Sequence, residues 1–283
     1  MERFEEFLTE RKYLKNVSDK TLLYYKCAFR SWEQHSQGDW KSWIVNLRQS
    51  GLSATSVNTY ICAMNAYWKW AGTGLKVDYL KEEQKILATL TPEQIKRVAS
   101  LKPKGINQTR THTAALLILD GGYRISKLLT LPFEHCDFEN LVVKVKGKGS
   151  KHRLIPLSVE MRKTLYRCAV KLSGPGRLMF GTRNRTSVTV RNFERDLKAI
   201  GTKLRITGVR FSPHTLRHSF AVSYLRNGGN LYYLSRLLGH ASVKTTEVYP
   251  QSVGVDELAA VHDRLSPLAP EHLRAARVES AMR

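Results

Sequence analysis

The chain has 283 residues, enough for two domains that each bury a core of their own. Hydrophobic residues make up 42% of it and charged residues 25%, which excludes a disordered chain. Lys and Arg number 46 against 24 Asp and Glu, so the formal net charge is +22. Such an excess predicts a polyanionic partner: nucleic acid fits it best, and an anionic membrane surface is the weaker alternative.

The sequence predicts a cytoplasmic protein. No apolar run approaches the roughly eighteen residues that a membrane helix needs, and the charged first residues lack the apolar core of a signal peptide. The four cysteines stand far apart with no CxxC pair. This pattern indicates reduced and mostly buried thiols, not a disulfide framework or a zinc site, at Cys27, Cys62, Cys136 and Cys168.

Residues 1–71 predict helices only. Ser18 and Ser53 are expected to cap two of them, because apolar side chains recur at helical spacing after each serine. The apolar positions of this region are Phe4, Phe7, Leu8, Leu22, Tyr25, Phe29, Trp40, Trp43, Ile44, Leu47, Val57, Tyr60, Ile61, Met64 and Trp68. We expect a small helical bundle whose outer lysines and arginines together grip backbone phosphates.

A connection between two domains is predicted after this bundle. Gly72 and Gly74 open a strongly charged stretch that runs to residue 90. Thr91-Pro92-Glu93-Gln94 then forms a capping box with proline at the first helical position, which is a clear helix start. We therefore divide the chain into a helical domain 1–80, a linker 81–90 and a second domain 91–283.

The second domain is predicted to be α+β, so the fold class is mainly α with a small antiparallel sheet. Two β-branched runs flank a Gly- and Lys-rich turn and predict a hairpin with a basic tip. The predicted order is an irregular basic segment Lys102–Arg110, an apolar helix Ala114–Leu119 ended by Gly121-Gly122, a short helix from Ser126, strands at 141–145 and 154–156, and helices at 160–171 and 189–205.

The stretch 212–250 concentrates polar side chains in short helices. Ser212-Pro213 predicts the start of one helix, and Asn230 is expected to cap a second helix that Gly239 ends. Ser242 is expected to cap a third short helix that leads to Tyr249. Two imidazoles, a guanidinium and a phenol in so short a stretch indicate chemistry on a phosphate.

Phosphodiester transfer without a metal or nucleotide requires a nucleophile, cations for the non-bridging oxygens and a proton donor for the leaving oxygen. Arg124 and Arg217 suit the second role, because a guanidinium is planar, always charged and able to bind phosphate with two hydrogen bonds. Tyr249 is the candidate nucleophile. The residue pattern alone does not distinguish it from the other tyrosines, of which the chain has 12 in all.

The remaining candidates handle protons. His214 and His240 are expected to hydrogen-bond the phosphate and to transfer protons, and Lys148 at the hairpin tip is expected to protonate the leaving 5′ oxygen. A zinc helix is excluded, because Thr215 occupies the place where HExxH needs its glutamate. Gly147-Lys148-Gly149 is no Walker loop, since Val142 stands where that loop needs a glycine. We therefore expect no cofactor, neither metal nor ATP.

Several motifs, in order along the chain, resemble those of the tyrosine recombinase (phage integrase) family. They are Gly-Gly-Tyr-Arg-Ile-Ser, the hairpin Val-Lys-Gly-Lys-Gly-Ser-Lys-His-Arg-Leu-Ile-Pro-Leu, His-Thr-Leu-Arg-His-Ser-Phe-Ala, and Leu-Leu-Gly-His followed nine residues later by tyrosine. By this resemblance the catalytic residues are Arg124, Lys148, His214, Arg217, His240 and Tyr249.

The resemblance covers nearly the whole chain and implies the rest of the expected function. The helical domain is similar to the family's SAM-like core-binding domain, and the two domains are expected to clamp duplex DNA. The tyrosine is expected to form a 3′-phosphotyrosine, which retains the bond energy. The family implies a tetramer on DNA with accessory DNA-bending or directionality factors, and an exchanged C-terminal segment, here Val253–Leu265.

Some positions depart from the family pattern. Lys127 stands where the family has an acidic residue, and Pro250 is expected to end the third short helix at or before Tyr249. His218 is predicted to be a supporting core histidine. Two alternatives remain open: a type IB-like topoisomerase, and a DNA-binding protein that has lost catalysis, which Lys127 alone indicates.

Overall fold

A computed structural model describes residues 2–83, 87–147, 152–172, 174, 176–182, 184, 186–240 and 242–252. The predicted lysine Lys148 and the predicted exchange segment Val253–Leu265 lie outside the described residues. The chain divides into two compact units, Met1–Lys85 and Ile86–Arg283.

The first unit is a helical bundle, as predicted. The N-caps expected from the sequence are confirmed, because the hydroxyls of Ser18 and Ser53 accept hydrogen bonds from main-chain N–H groups three residues later. Its four helices are α1 (Glu2–Tyr13), α2 (Asp19–His35), α3 (Trp40–Gln49) and α4 (Ala54–Trp70).

Aromatic packing fills the core of this bundle. Trp43 is fully buried, and its indole N–H donates to Ser31 Oγ at 3.2 Å. Trp32, Trp43 and Trp68 pack edge-to-face in all three pairs, a favoured arrangement for aromatic rings. The apolar side chains of α1 pack on α2 and α4, with Phe7 fully buried.

Residues 71–83, which follow α4, form no helix, yet two asparagines tie them to that helix. Asn65 donates to the carbonyl of Val77 at 2.8 Å and accepts from the N–H of the same residue at 2.9 Å. Asn58 makes the same pair of hydrogen bonds with Leu80, at 2.9 and 2.7 Å. The side-chain amides therefore substitute for a neighbouring strand and fix this segment on the first unit.

The second unit combines helices with a small sheet. The capping box predicted at Thr91 and Gln94 is confirmed in both directions. Its elements are α5 (Pro92–Ala99), α6 (Gly105–Gly121), α7 (Ile125–Leu128), β1 (Cys136–Asp137), β2 (Val142–Lys146), β3 (His152–Pro156), α8 (Val159–Leu172), α9 (Val190–Lys203), α10 (Pro213–Arg226) and α11 (Leu231–Leu238), with 3-10 turns at Phe133–His135, Val243–Thr245 and Pro250–Ser252.

Helix α6 is the centre of this unit and packs against α8, α9 and α10. The prediction that Lys102–Arg110 is irregular is wrong from Gly105 onward, because α6 begins there. Its first turn is exposed and needs no apolar side chains, so no periodic pattern signals it. Gly122 ends the helix in the left-handed conformation, where a Cβ would lie 2.7 Å from Leu238 Cδ2.

The three strands form one antiparallel sheet in the order β1-β2-β3. Val143 pairs with Ile155 across β2 and β3, and both side chains are fully buried against the core. The predicted hairpin is confirmed in its strands, whereas β1 was not predicted because it is only two residues long. The predicted fold class, mainly α with a small antiparallel sheet, is confirmed.

The prediction of mostly buried cysteines is half wrong. Cys136 and Cys168 are buried, but Cys27 and Cys62 are exposed on the outer faces of α2 and α4, and all four are free thiols. In the part of the chain that the structure describes, no helix combines the length and apolar character that crossing a bilayer demands.

Candidate active site

A cavity of about 410 Å³ collects most of the predicted site residues in the second unit. None of the described residues that line it is an aspartate or a glutamate. It is lined by Tyr123, Arg124, Ile125, Ser126, Pro213, His214, Arg217, His218, His240, Thr245, Val248 and Tyr249. The structure thus brings together five of the six predicted residues, and the sixth, Lys148, lies outside the described residues.

Arg124 enters the cavity because of the break after α6. It is the residue that caps α7, with extended backbone, and its Nη1 donates to the carbonyls of Leu238 at 2.9 Å and Gly239 at 3.0 Å. These carbonyls lie at the carboxyl end of α11, where they have no partner within the helix and where the helix dipole favours a cation. The rest of the guanidinium remains exposed.

Arg217 is buried on α10 and is held by three acceptors. Nη1 donates to the carbonyl of Gly122, and Nη2 donates to the carbonyl of Leu238 at 2.8 Å and to His240 Nε2 at 3.0 Å. Burial, followed by the charge of Arg124, lowers the pKa of Arg217 to about 10. The guanidinium therefore stays charged at neutral pH, in a fixed orientation.

His240 follows the left-handed Gly239 that ends α11, as predicted. A guanidinium can only donate, so Nε2 of His240 must be the acceptor of its bond with Arg217. The ring proton then lies on Nδ1, which donates to Thr246 Oγ1 at 2.8 Å. Burial and the charges of Arg217, Arg124 and Arg153 lower the pKa of His240 to about 4, which keeps the ring neutral.

Tyr249 lies between two 3-10 turns, after Val243–Thr245 and directly before Pro250–Ser252. As predicted, the helical turn from Ser242 ends before the tyrosine. The side chain is 3% exposed, and its hydroxyl lies 3.2 Å from Nδ1 of His218. Burial raises the pKa of the phenol, and the charges of Arg217 and Arg124 only partly offset this.

His214 lies at the exposed rim of the same cavity, one turn of α10 before His218. The centroids of these two imidazole rings are 6.4 Å apart. The N-cap Ser212 fixes this end of the helix, since its hydroxyl accepts from the main-chain N–H of Thr215 at 3.2 Å. His214 is thus available to a ligand that enters from solvent.

The cavity is electropositive. Within the described residues the two ion pairs are Lys163–Glu160 and Arg195–Asp196, and neither involves a residue of the cavity. Two guanidiniums therefore share a partly buried site with no carboxylate to neutralise them. Such a site attracts an anion the size of a phosphate group. No three His, Cys, Asp or Glu side chains of the described part stand together as metal ligands.

Sequence reasoning did not assign two residues of this region to the site. His218, predicted as a supporting core histidine, is half-buried and hydrogen-bonds Tyr249; its position four residues after His214, on the same helix face, was the available signal. Arg153 of β3 lies against Gly239, where a Cβ would be 1.3 Å from its Nη1. Nothing local marks Arg153, because the contact depends on how the hairpin packs on α11.

Comparison with known proteins identifies the family to which this fold and this cavity belong. The chain belongs to the phage integrase family, whose model matches residues 88–253. It is 30% identical over 213 residues to the tyrosine recombinase XerA of Pyrococcus furiosus, which covers 73% of both chains. Against XerA of Thermococcus kodakarensis the identity is 28% over 276 residues, covering 93% of this chain and 94% of that protein.

Solved structures share the fold. The Tn1549 transposon integrase in complex with transposon right end DNA superposes with a TM-score of 0.73 at 20% identity, covering 93% of this chain and 99% of that one. A crystal structure of XerA recombinase gives a TM-score of 0.53 at 24% identity, covering 94% and 97%. The predicted resemblance and the predicted enzyme class, a tyrosine recombinase, are confirmed by the family and these relatives.

Proposed function

We propose that the chain is a site-specific recombinase that cuts and rejoins duplex DNA through a 3′-phosphotyrosine on Tyr249. One observation carries this proposal: buried Tyr249 lines the same cavity as Arg124 and Arg217, and the described residues of that cavity include no carboxylate. A nucleophile and two fixed cations around one small anion site are what attack on a phosphodiester requires.

The guanidiniums have the task of stabilising charge. As Tyr249 attacks, negative charge grows on the two non-bridging oxygens of the phosphate. Arg124 and Arg217 bind these oxygens, and because main-chain carbonyls and His240 already orient them, little reorganisation is needed at the moment of reaction. His214 adds a hydrogen bond to the phosphate from the exposed rim of the cavity, whereas His240 accepts from Arg217 through Nε2 and orients that guanidinium.

The leaving 5′ oxygen needs a proton. Lys148, on the hairpin between β2 and β3, is proposed as the donor, in line with the family motif it occupies. The phosphotyrosine conserves the energy of the broken bond, and a 5′-hydroxyl of the partner strand attacks it to complete the exchange. In this scheme neither a metal nor ATP is consumed.

Duplex DNA is the proposed partner, in agreement with the net charge of +22 and with the DNA complex of the Tn1549 integrase. We propose that residues 1–80 form the core-binding domain, 81–90 the linker and 91–283 the catalytic domain, and that both domains clamp DNA in the cytoplasm. A tetramer would align two DNA sites, with residues 253–265 exchanged between neighbours and accessory factors setting direction.

The test is capture of the covalent intermediate. Duplexes selected by the purified protein from a random pool, and mapped by nuclease protection, supply the binding site. A nick near the cleavage point lets the short strand diffuse away, so the protein–DNA adduct accumulates. Wild type is expected to form an adduct at the 3′ phosphate, and Tyr249→Phe to form none while still binding the duplex.

Tyr166→Phe is the matched control, since Tyr166 is 56% exposed on α8, away from the cavity. It is expected to form adduct as wild type does. An adduct that survives Tyr249→Phe would refute the assigned nucleophile. Absence of adduct in wild type on the protected site would favour a binding protein without catalysis, and relaxation of supercoiled DNA lacking that site would favour a topoisomerase.

A further inference from the structure

The hydroxyl of Tyr249 has one hydrogen-bonded histidine among the described residues, and it is His218. The distance from Oη to Nδ1 is 3.2 Å, and the two ring centroids are 5.6 Å apart. His218 is the last residue of the His-Thr-Leu-Arg-His run, so it lies one turn of α10 beyond His214 and directly after Arg217. Because both residues lie on α10, the helix fixes the guanidinium of Arg217 and this imidazole relative to each other.

Neighbouring groups favour one direction for this hydrogen bond, from the phenol to the imidazole. The guanidinium of Arg217 also lies close to the phenol oxygen, where it favours the phenolate. A guanidinium can only donate, so Arg217 cannot accept the O–H of Tyr249, which needs another acceptor. Nδ1 of His218 is at the right distance and accepts this O–H in the tautomer whose ring proton is on Nε2.

The phenol needs such an acceptor. Its side chain is 3% exposed, so bulk water has little access to take its proton. The other nitrogen bases of the cavity are less suitable: both nitrogens of His240 are used by Arg217 and Thr246, and His214 lies at the exposed rim.

We propose that His218 is the general base that accepts the phenolic proton of Tyr249 during strand cleavage. This inference rests on the proposed function. In the cleavage step the bond between Oη and phosphorus forms, the bond between phosphorus and the 5′ oxygen breaks with its electron pair on that oxygen, and the Oη proton moves to Nδ1. On religation the protonated imidazole returns this proton to the departing phenol.

The charge state of the imidazole agrees with this role. Burial, then the neighbouring His214 and the charge of Arg217, lower the pKa of His218 below its ordinary value of 6.5. Three other ionisable groups line the same cavity. They are Tyr249, which is hydrogen-bonded to His218, and Arg124 and His240, which lie on the far side of Arg217. At neutral pH the ring is therefore neutral and can accept, whereas acidification protonates it and blocks transfer.

Single-turnover cleavage of the nicked duplex at saturating protein tests the inference. His218→Ala is expected to lower the rate about 100-fold or more, a typical contribution of a general base, with DNA affinity unchanged. His218→Gln is the second variant, because its amide oxygen can accept the hydrogen bond but cannot take the proton. It is expected to lose rate as His218→Ala does; a rate near wild type would make His218 a positioning residue and overturn the inference.

Two further readouts separate proton transfer from packing. Added imidazole should raise the rate of His218→Ala, and fluorotyrosine at position 249, whose phenol is more acidic, should shrink the deficit of the variant. The wild-type rate should fall with acidification below the ordinary histidine range, and the variants should lack this fall. His35→Ala, a histidine of the first unit with no assigned role, should behave as wild type.

The outcomes distinguish the two proposals. An adduct that depends on Tyr249, formed by His218→Ala at the wild-type rate and with the wild-type pH profile, overturns the general base and leaves the proposed function intact. Absence of adduct in wild type, or adduct in Tyr249→Phe, overturns both.

Discussion

Arg124 and Arg217 donate to the same oxygen atom, the carbonyl of Leu238, at 2.9 and 2.8 Å. Two like charges repel, but the carboxyl end of α11 supplies a partial negative charge that holds them together. Each guanidinium therefore uses different sides for the two tasks. Backbone carbonyls fix one side, while the side that faces the cavity remains available to an anion. The placement of Arg124 and Arg217 thus depends on where α11 ends as much as on the arginines themselves.

Arg217→Lys is expected to abolish strand cleavage without abolishing DNA binding. The lysine keeps the charge, but its single nitrogen cannot serve Gly122, Leu238 and His240 at once, so buried carbonyls lose their donors at a cost of about 1–3 kcal/mol each. We expect a lower melting temperature and at least about a 100-fold loss of adduct formation.

Gel-shift affinity and adduct rate, measured on the same nicked duplex, check this prediction. Arg236→Lys is the matched control, because Arg236 is exposed on α11 and lines no part of the cavity. Equal losses of binding and cleavage in Arg217→Lys would instead identify Arg217 as an anchor for DNA.

Gly239→Ala is expected to slow cleavage, in addition to the loss of unfolding free energy that any alanine at a left-handed position causes. Gly239 has a φ of +64°, so alanine there costs roughly 1–2 kcal/mol, and its Cβ would lie 1.3 Å from Arg153 Nη1. Arg153 is a long side chain that can swing away, but it would then leave the end of α11 that holds Arg124. We expect about a tenfold drop in cleavage, since small misplacements of a clamp are costly.

Gly208→Ala isolates the backbone contribution, because Gly208 has a φ of +76° with nothing within 4 Å of its would-be Cβ. Chemical denaturation of both variants should give similar losses of unfolding free energy, with cleavage reduced in Gly239→Ala alone. Equal cleavage in the two variants would show that Arg153 has no part in supporting the site.

His240 is expected to make the fold sensitive to mild acid. Its pKa in the folded protein is lowered to about 4, whereas the unfolded chain keeps the ordinary 6.5, so between these values the unfolded state binds the extra proton. The stabilisation is fully present above pH 6.5 and is lost as the pH falls toward 4. The free energy of unfolding, measured by denaturant titration across this window, should decline less in His240→Gln than in wild type.

Parallel pH curves for wild type and His240→Gln would contradict this prediction. The effect of His240 is the difference between the two curves of unfolding free energy against pH. The wild-type curve alone is not enough, because burial also lowers the pKa values of His112 and His218, and these titrate in the same direction.

Asn65→Ala is expected to release the segment that follows α4. The substitution removes both hydrogen bonds to Val77, and the buried main-chain groups left behind cost about 1–3 kcal/mol each. Limited proteolysis should then cut between residues 72 and 83 faster than in wild type. Lys69→Ala, an exposed position on the same helix, is the control; equal cleavage rates in the two variants would show that Asn65 does not anchor the segment.

The sequence by itself determined the elements whose signals are local. Serine, threonine and asparagine caps marked the helix starts at Ser18, Ser53, Thr91, Ser212 and Asn230, because a cap hydrogen-bonds within a few residues of itself. The resemblance of several motifs to a known family also selected residues that line one cavity, although the residue pattern alone did not distinguish Tyr249 from the other tyrosines.

Only the tertiary structure decided the partners of those residues. Arg124 and Leu238 are 114 positions apart in the chain, Arg217 and Gly122 are 95 apart, and His218 and Tyr249 are 31 apart. No periodicity or capping rule connects positions at such separations, because the contacts arise from how α6, α10 and α11 pack. The exposed first turn of α6 escaped prediction for a different reason: it needs no apolar stripe, so it leaves no periodic pattern in the sequence.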